Sequence, residues 1–104
     1  MHVLSMRALK LFWEREPKAA ERPLLAWFTL VRKAEWTGPA DVKAMFGTTV
    51  DFVADNRAIF DIGGNKYRLI AYIAYQHRRV LVKFVGTHKE YDALDAEKIG
   101  RPNR

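Results

Sequence analysis

Residues 57–75 read RAIFDIGGNKYRLIAYIAY, and their alternation decides the fold. Ala58, Phe60 and Ile62 alternate with Arg57, Ile59 and Asp61, the period of two of a strand with one buried face. Gly63-Gly64-Asn65 follows, three residues that tolerate positive φ, so the chain is expected to turn back there as a hairpin. Residues 66–75 make the next strand, with Tyr67, Leu69, Ala71 and Ile73 on one apolar face. Lys66, Arg68, Ile70 and Tyr72 lie on the other face, because successive side chains point to opposite sides. Gln76-His77-Arg78 is a second, more polar turn, and 79–86 a third strand rich in valine.

Upstream of the hairpin the period lengthens. Ser5 suits the N-cap of a helix starting at Met6, and Leu9, Phe12 and Trp13 fall at i, i+3 and i+4 on one face. Pro17 ends that helix. A second helix is expected over 19–35, with Leu24, Trp27, Phe28 and Val31 as its apolar stripe and Pro23 confined to its first turn. Thr37-Gly38-Pro39 breaks the pattern, and a short helix over Pro39–Phe46 follows, with the proline at its first position. Downstream, Thr87-His88-Lys89-Glu90 matches a capping box and starts a short helix running from 88 to about 98. Residues from 99 onward read as a frayed tail. The expected class is α+β: one domain over 1–104, with helices packed on one face of an antiparallel sheet. That sheet has about four strands if 3–5 adds an edge strand, and a short C-terminal helix completes the fold.

Composition narrows the function classes. A chain of 104 residues with 49% hydrophobic content has room for one core. There is no cysteine, which removes disulfides, thiolate metal sites and cysteine nucleophiles, and fits a reducing cytosol. No apolar run reaches membrane-spanning length, and the first residues lack the pattern of a secretory leader, so a cytoplasmic protein is expected. The net charge of +6 and pI of about 9.8 suit a polyanionic partner, although many small proteins are basic without one.

Parity along the strands sharpens this reading. In 79–86, Val80, Val82 and Phe84 are expected to face the helices, and Arg79, Leu81, Lys83 and Val85 to point away. Arg68 and Lys83 then share the outer face with Lys66 and Tyr72. Cations beside an aromatic ring suit single-stranded nucleic acid, with phosphates on the cations and bases on the rings. The same pattern also fits a plain solvated sheet face. His88 and Tyr91, three apart on a helix, share a side at the end of the strand that carries Lys83. Imidazole, phenol and guanidinium together suit phosphodiester transfer, which needs a proton removed, a proton given and negative charge stabilised. Each also has a structural explanation: His88 as a helix start, Tyr91 as packing, Lys89 as a solvated charge.

Two stretches, Asn56-Arg57-Ala58-Ile59-Phe60-Asp61-Ile62-Gly63-Gly64-Asn65-Lys66-Tyr67-Arg68-Leu69 and Val85-Gly86-Thr87-His88-Lys89-Glu90-Tyr91-Asp92, resemble the signatures of HigB toxins of the RelE-like superfamily. Met1-His2-Val3, Ala26-Trp27-Phe28 and Trp36 before Pro39-Ala40-Asp41-Val42-Lys43 extend the likeness to about Asp95. The resemblance implies a RelE-like fold and the toxin of a type II toxin–antitoxin pair. It also implies a HigA-type helix-turn-helix antitoxin that alone contacts operator DNA. The implied activity is messenger RNA cleavage in the A site of the small ribosomal subunit, by attack of the 2′-hydroxyl and without metal or cofactor. Carried over, Arg68 holds the scissile phosphate and Lys83 stabilises the transition state or tunes a proton-transfer partner. His88 is the general acid or base, and Tyr91 orients or stacks the substrate. Asn65 matches the turn that shapes the site, and Lys66, Tyr72 and Lys89 join it as expected RNA contacts. Asp61 replaces the asparagine expected of the family and is given no role, since a carboxylate there repels phosphate. Two other readings fit the same chain: a ParE-like gyrase poison, sharing the fold, and an RNA-binding module without catalysis.

Overall fold

Hairpin chemistry and helical periodicity both find their place in the computed structural model, which describes residues 1–4, 6–15, 18–64 and 66–94. Its main elements, in order, are β1 (His2–Leu4), α1 (Met6–Arg15), α2 (Glu21–Lys33), α3 (Pro39–Phe46), β2 (Val50–Val53), β3 (Arg57–Ile62), β4 (Tyr67–Ala74), β5 (Arg79–Thr87) and α4 (His88–Asp92). The strands form one sheet in the order β1-β5-β4-β3-β2. Ser5, Pro17, Asn65 and the expected tail lie outside the described residues.

The α+β class stands, and the sheet differs from expectation in two ways. It has five strands rather than about four, because Val50–Val53 pairs antiparallel with β3. Four residues are too few for their alternation to stand out. Their signal is the turn behind them, where Asp55 and Asn56 adopt φ of 63° and 60°, a region these two residues tolerate better than most. The sheet is also mixed, since β1 runs parallel to β5, with Val3 opposite Val80. Arg57, wholly buried at the start of β3, donates from Nε to the Ala54 carbonyl at 2.9 Å and fastens the β2–β3 turn.

Helix bounds shift slightly. Residues 18–20 form a 3₁₀ turn, so α2 starts at Glu21 with Pro23 in its first turn, and it ends at Lys33. The helix expected over 88–98 ends at Asp92, and residues 95–98 lie outside the described set.

One face of the sheet carries the core. Leu9, Phe12 and Trp13 of α1 and Leu24, Trp27 and Val31 of α2 are buried with Phe60, Leu69, Ala71 and Ile73 beneath them. Edge-to-face contacts tie the layers: Phe12 to Tyr67 at 5.7 Å, Trp27 to Phe60 at 5.4 Å and Phe46 to Phe60 at 4.9 Å between centroids. Each such pair adds about 0.5–1.5 kcal/mol beyond the area it buries. Gly63, at φ +64°, lies under the Tyr67 ring and Pro23, where a Cβ would sit 3.3–3.4 Å from both.

A bulge corrects the expected parity of β5. Ile70 pairs with Phe84 while Ala71 pairs with Val82, which leaves Lys83 as the extra residue. Before the bulge Val80 and Val82 lie on the helix side as expected. After it the faces exchange: Val85 joins Leu69 against the core, and Phe84 joins Ile70. A period-two reading carried unbroken through 79–86 cannot register an inserted residue.

Candidate active site

The second face of the sheet is not the plain solvated surface that its charges allow. Ile59 and Ile70, paired across β3 and β4, are both buried there. Beside them Arg68 is only 19% exposed, so its guanidinium is held in a partly dry setting. Direct pairing across the hairpin puts Asp61 opposite Arg68 on β3 and Gly86 opposite it on β5. The strand then gives way to α4 within two residues, which swings His88 and Tyr91 back over the arginine.

Three contacts define the cluster. The Nε–H of Arg68 donates to Nε2 of His88 at 3.1 Å. Nε2 accepts this bond through its lone pair. The Arg68 guanidinium carbon lies 4.9 Å from the centre of the Tyr91 ring, a cation–π contact. Oδ1 of Asp61 is 2.9 Å from the same Nε, an ion pair, yet it lies off the N–H axis, which is taken by His88. Among the described residues, these polar contacts engage Arg68 through Nε. The two terminal nitrogens carry the four N–H groups suited to bidentate binding of a phosphate.

Local chemistry holds α4 in place. The Thr87 hydroxyl accepts from the Glu90 N–H at 3.2 Å, and the Glu90 carboxylate accepts from the Thr87 N–H at 3.0 Å, a complete capping box. The Thr87 N–H bond is the main reason the Glu90 carboxyl titrates below its ordinary range, with Arg15 helping. Nη2 of Arg15 reaches the other Glu90 oxygen at 3.2 Å and ties α1 to α4. Both of those side chains are largely exposed, at 54% and 41%, so this pair adds at most about 1 kcal/mol and mainly sets direction.

The structure therefore brings Arg68, His88 and Tyr91 together and adds Asp61 to them. Among the described residues, no hydrogen bond, ion pair or ring contact joins the other expected residues to this cluster. Lys83 is exposed at the bulge, and Lys66 and Lys89 are exposed as well. Tyr72 lies four residues along β4 from Arg68, about 13 Å at the rise of a strand. There it lines a separate hollow of about 420 Å³ with Thr37, Asn56, Tyr75 and His77. Asn65 falls outside the described residues. Asp61, set aside on sequence, was accessible by hairpin arithmetic: once Ile62 and Tyr67 close the turn, Asp61 must face Arg68.

The model of HigB toxins, the RelE-like toxic component of a toxin–antitoxin system, matches residues 20–94 of this chain. The protein named mRNA interferase toxin HigB of Escherichia coli K12 is 31% identical over 97 residues, covering 92% of each chain. The mRNA interferase HigB of Shigella flexneri is similar to the same degree, 31% over 97 residues and 92% of each chain. That of Escherichia coli O6:H1 is 28% identical over 95 residues, with 90% of this chain and 91% of the relative covered.

Proposed function

Since the chain belongs to the HigB family, the RelE-like toxic component of toxin–antitoxin systems, we propose that it cleaves messenger RNA on the ribosome by in-line attack of a 2′-hydroxyl. The observation that carries this reading is the meeting of Arg68, His88 and Tyr91 on one partly buried patch. In the reaction, the 2′-oxygen forms a bond to the adjacent phosphorus as the bond to the 5′-oxygen breaks. The 2′-hydroxyl loses a proton and the leaving 5′-oxygen gains one. The products carry a 2′,3′-cyclic phosphate and a 5′-hydroxyl.

The terminal nitrogens of Arg68 hold the phosphate and take up the charge that grows on its oxygens. His88 moves a proton, at the 2′-hydroxyl or at the leaving oxygen. Tyr91 stacks on the guanidinium and fixes its plane, and through it orients the substrate. Lys66, Lys83 and Lys89, all exposed, follow the RNA backbone. The ribosome supplies the remaining orientation, converting a loose encounter into a positioned one. The partner that silences the toxin is an antitoxin of the HigA type, a helix-turn-helix protein through which alone operator DNA is contacted. No helix among the described residues is long and apolar enough to cross a membrane.

The test is cleavage of a defined message on programmed ribosomes, with chemical identification of the new ends. The expected result is 5′-hydroxyl and cyclic phosphate ends, with the rate falling about 10²–10⁴-fold in His88→Ala and at least comparably in Arg68→Ala. Ends carrying 5′-phosphate, or full activity in both folded variants, would overturn the proposal.

A further inference from the structure

Among the described residues, Asp61 is the acidic group that contacts the Arg68 guanidinium, and the cluster is otherwise built to receive an anion. We infer that Asp61 is an internal competitor for that guanidinium and sets how tightly Arg68 holds phosphate. This rests on the reading of Arg68 as the phosphate-binding group.

Three observations carry it. First, the register places Asp61 directly across from Arg68 on the neighbouring strand, so the contact is built into the hairpin and does not depend on a wandering side chain. Second, both side chains are mostly buried, at 24% and 19% exposure, and the contacting oxygen itself is shielded from solvent. Charges in such a setting act on one another more strongly than in water. The carboxylate therefore cancels much of the attraction that the guanidinium offers to an arriving anion. Third, the carboxylate is not the hydrogen-bond acceptor of Nε. That role belongs to His88, whose Nε2 lies on the N–H axis. Charge and hydrogen bonding at Arg68 are thus divided between two residues, and the charge can be removed without taking away the bond.

The geometry also limits the competition. Asp61 meets the guanidinium at Nε, so a phosphate can still bind across the two terminal nitrogens. It does so with a like charge one guanidinium away. Asp61 therefore weakens anion binding without blocking it, and the toxin works below the affinity its arginine could reach.

The direct test uses inorganic phosphate and the free protein. Phosphate is titrated at constant ionic strength into wild type, Asp61→Asn, Asp61→Ser and Arg68→Ala, with the His88 imidazole followed by NMR. Asparagine keeps the shape of aspartate and removes its charge; serine, smaller and also neutral, covers the case in which asparagine disturbs folding. The expected result is a Kd lowered on the order of tenfold in both neutral variants, the size of a like charge removed from a neighbouring site. Arg68→Ala should lose the response. An unchanged or raised Kd in the folded neutral variants would overturn the inference. The ribosomal assay keeps the two claims apart: tighter phosphate binding without RNA cleavage in any protein would sink the proposed function and leave the role of Asp61 standing. Cleavage with no gain in phosphate affinity would do the reverse.

Discussion

Gly86 marks how tightly the base of α4 is packed. It pairs with Arg68 across β4 and β5, and a Cβ built on it would lie 2.5 Å from Cζ of Phe84 and 3.2 Å from Oε1 of Glu90. The first distance demands that the Phe84 ring move; the second presses on the oxygen that accepts from Thr87. Gly86→Ala should therefore destabilise the fold by about 1–3 kcal/mol, the usual effect of an extra carbon in a filled space. A thermal melt checks it, with a fall of several degrees expected and no change counting against the packing described. Residue by residue, the sequence revealed the cationic and titratable groups but misjudged their company. Lys83, which parity places on the face of Arg68, is exposed at a bulge that interrupts the parity. Asp61 has no role in the sequence reading, because a carboxylate there repels phosphate; the structure pairs it with the guanidinium across the hairpin.

At the scale of elements, α4 has only five residues, too few to be stable on propensity, and it relies on its cap and on Arg15. Thr87→Ala removes the acceptor for the Glu90 N–H and should cost about 1 kcal/mol. Because α4 carries His88 and Tyr91, cleavage should fall by more than this stability loss alone explains. Equal melting curves with equal activity would contradict that view. The Glu90 carboxyl titrates below its ordinary value of 4.5 in the folded chain, chiefly through the Thr87 N–H. A depressed folded pKa means that this group stabilises the protein fully above the unfolded value and progressively less as pH falls through the folded one. Urea midpoints measured from neutrality into the acid range should show that loss in wild type, and Glu90→Gln should show less of it. The elements most legible in advance were those with long periods or explicit turn chemistry: α1, α2, the β3–β4 hairpin and the capping box. The missed strand β2 is short, and the parallel pairing of β1 with β5 joins residues far apart in sequence, which no local pattern encodes.

For the whole molecule, helices on one side of the sheet leave the other side to hold the Arg68 cluster, with charged lysines around it. The α+β class followed from the switch in period near residue 57, since helical spacing on one side and alternation on the other leave few other architectures. The shape of the site did not follow, because it depends on a bulge, a tight cap and two buried isoleucines beside the arginine. The central claim is that this cluster cuts messenger RNA during translation. Its most direct test is induced expression in growing bacteria with 5′-end mapping of transcripts, comparing wild type with His88→Ala and Arg68→Ala. The account predicts new 5′-hydroxyl ends inside translated frames, in register with codons, that vanish in both variants while the proteins remain folded. Growth arrest without new transcript ends, or ends that persist unchanged in both variants, would contradict it.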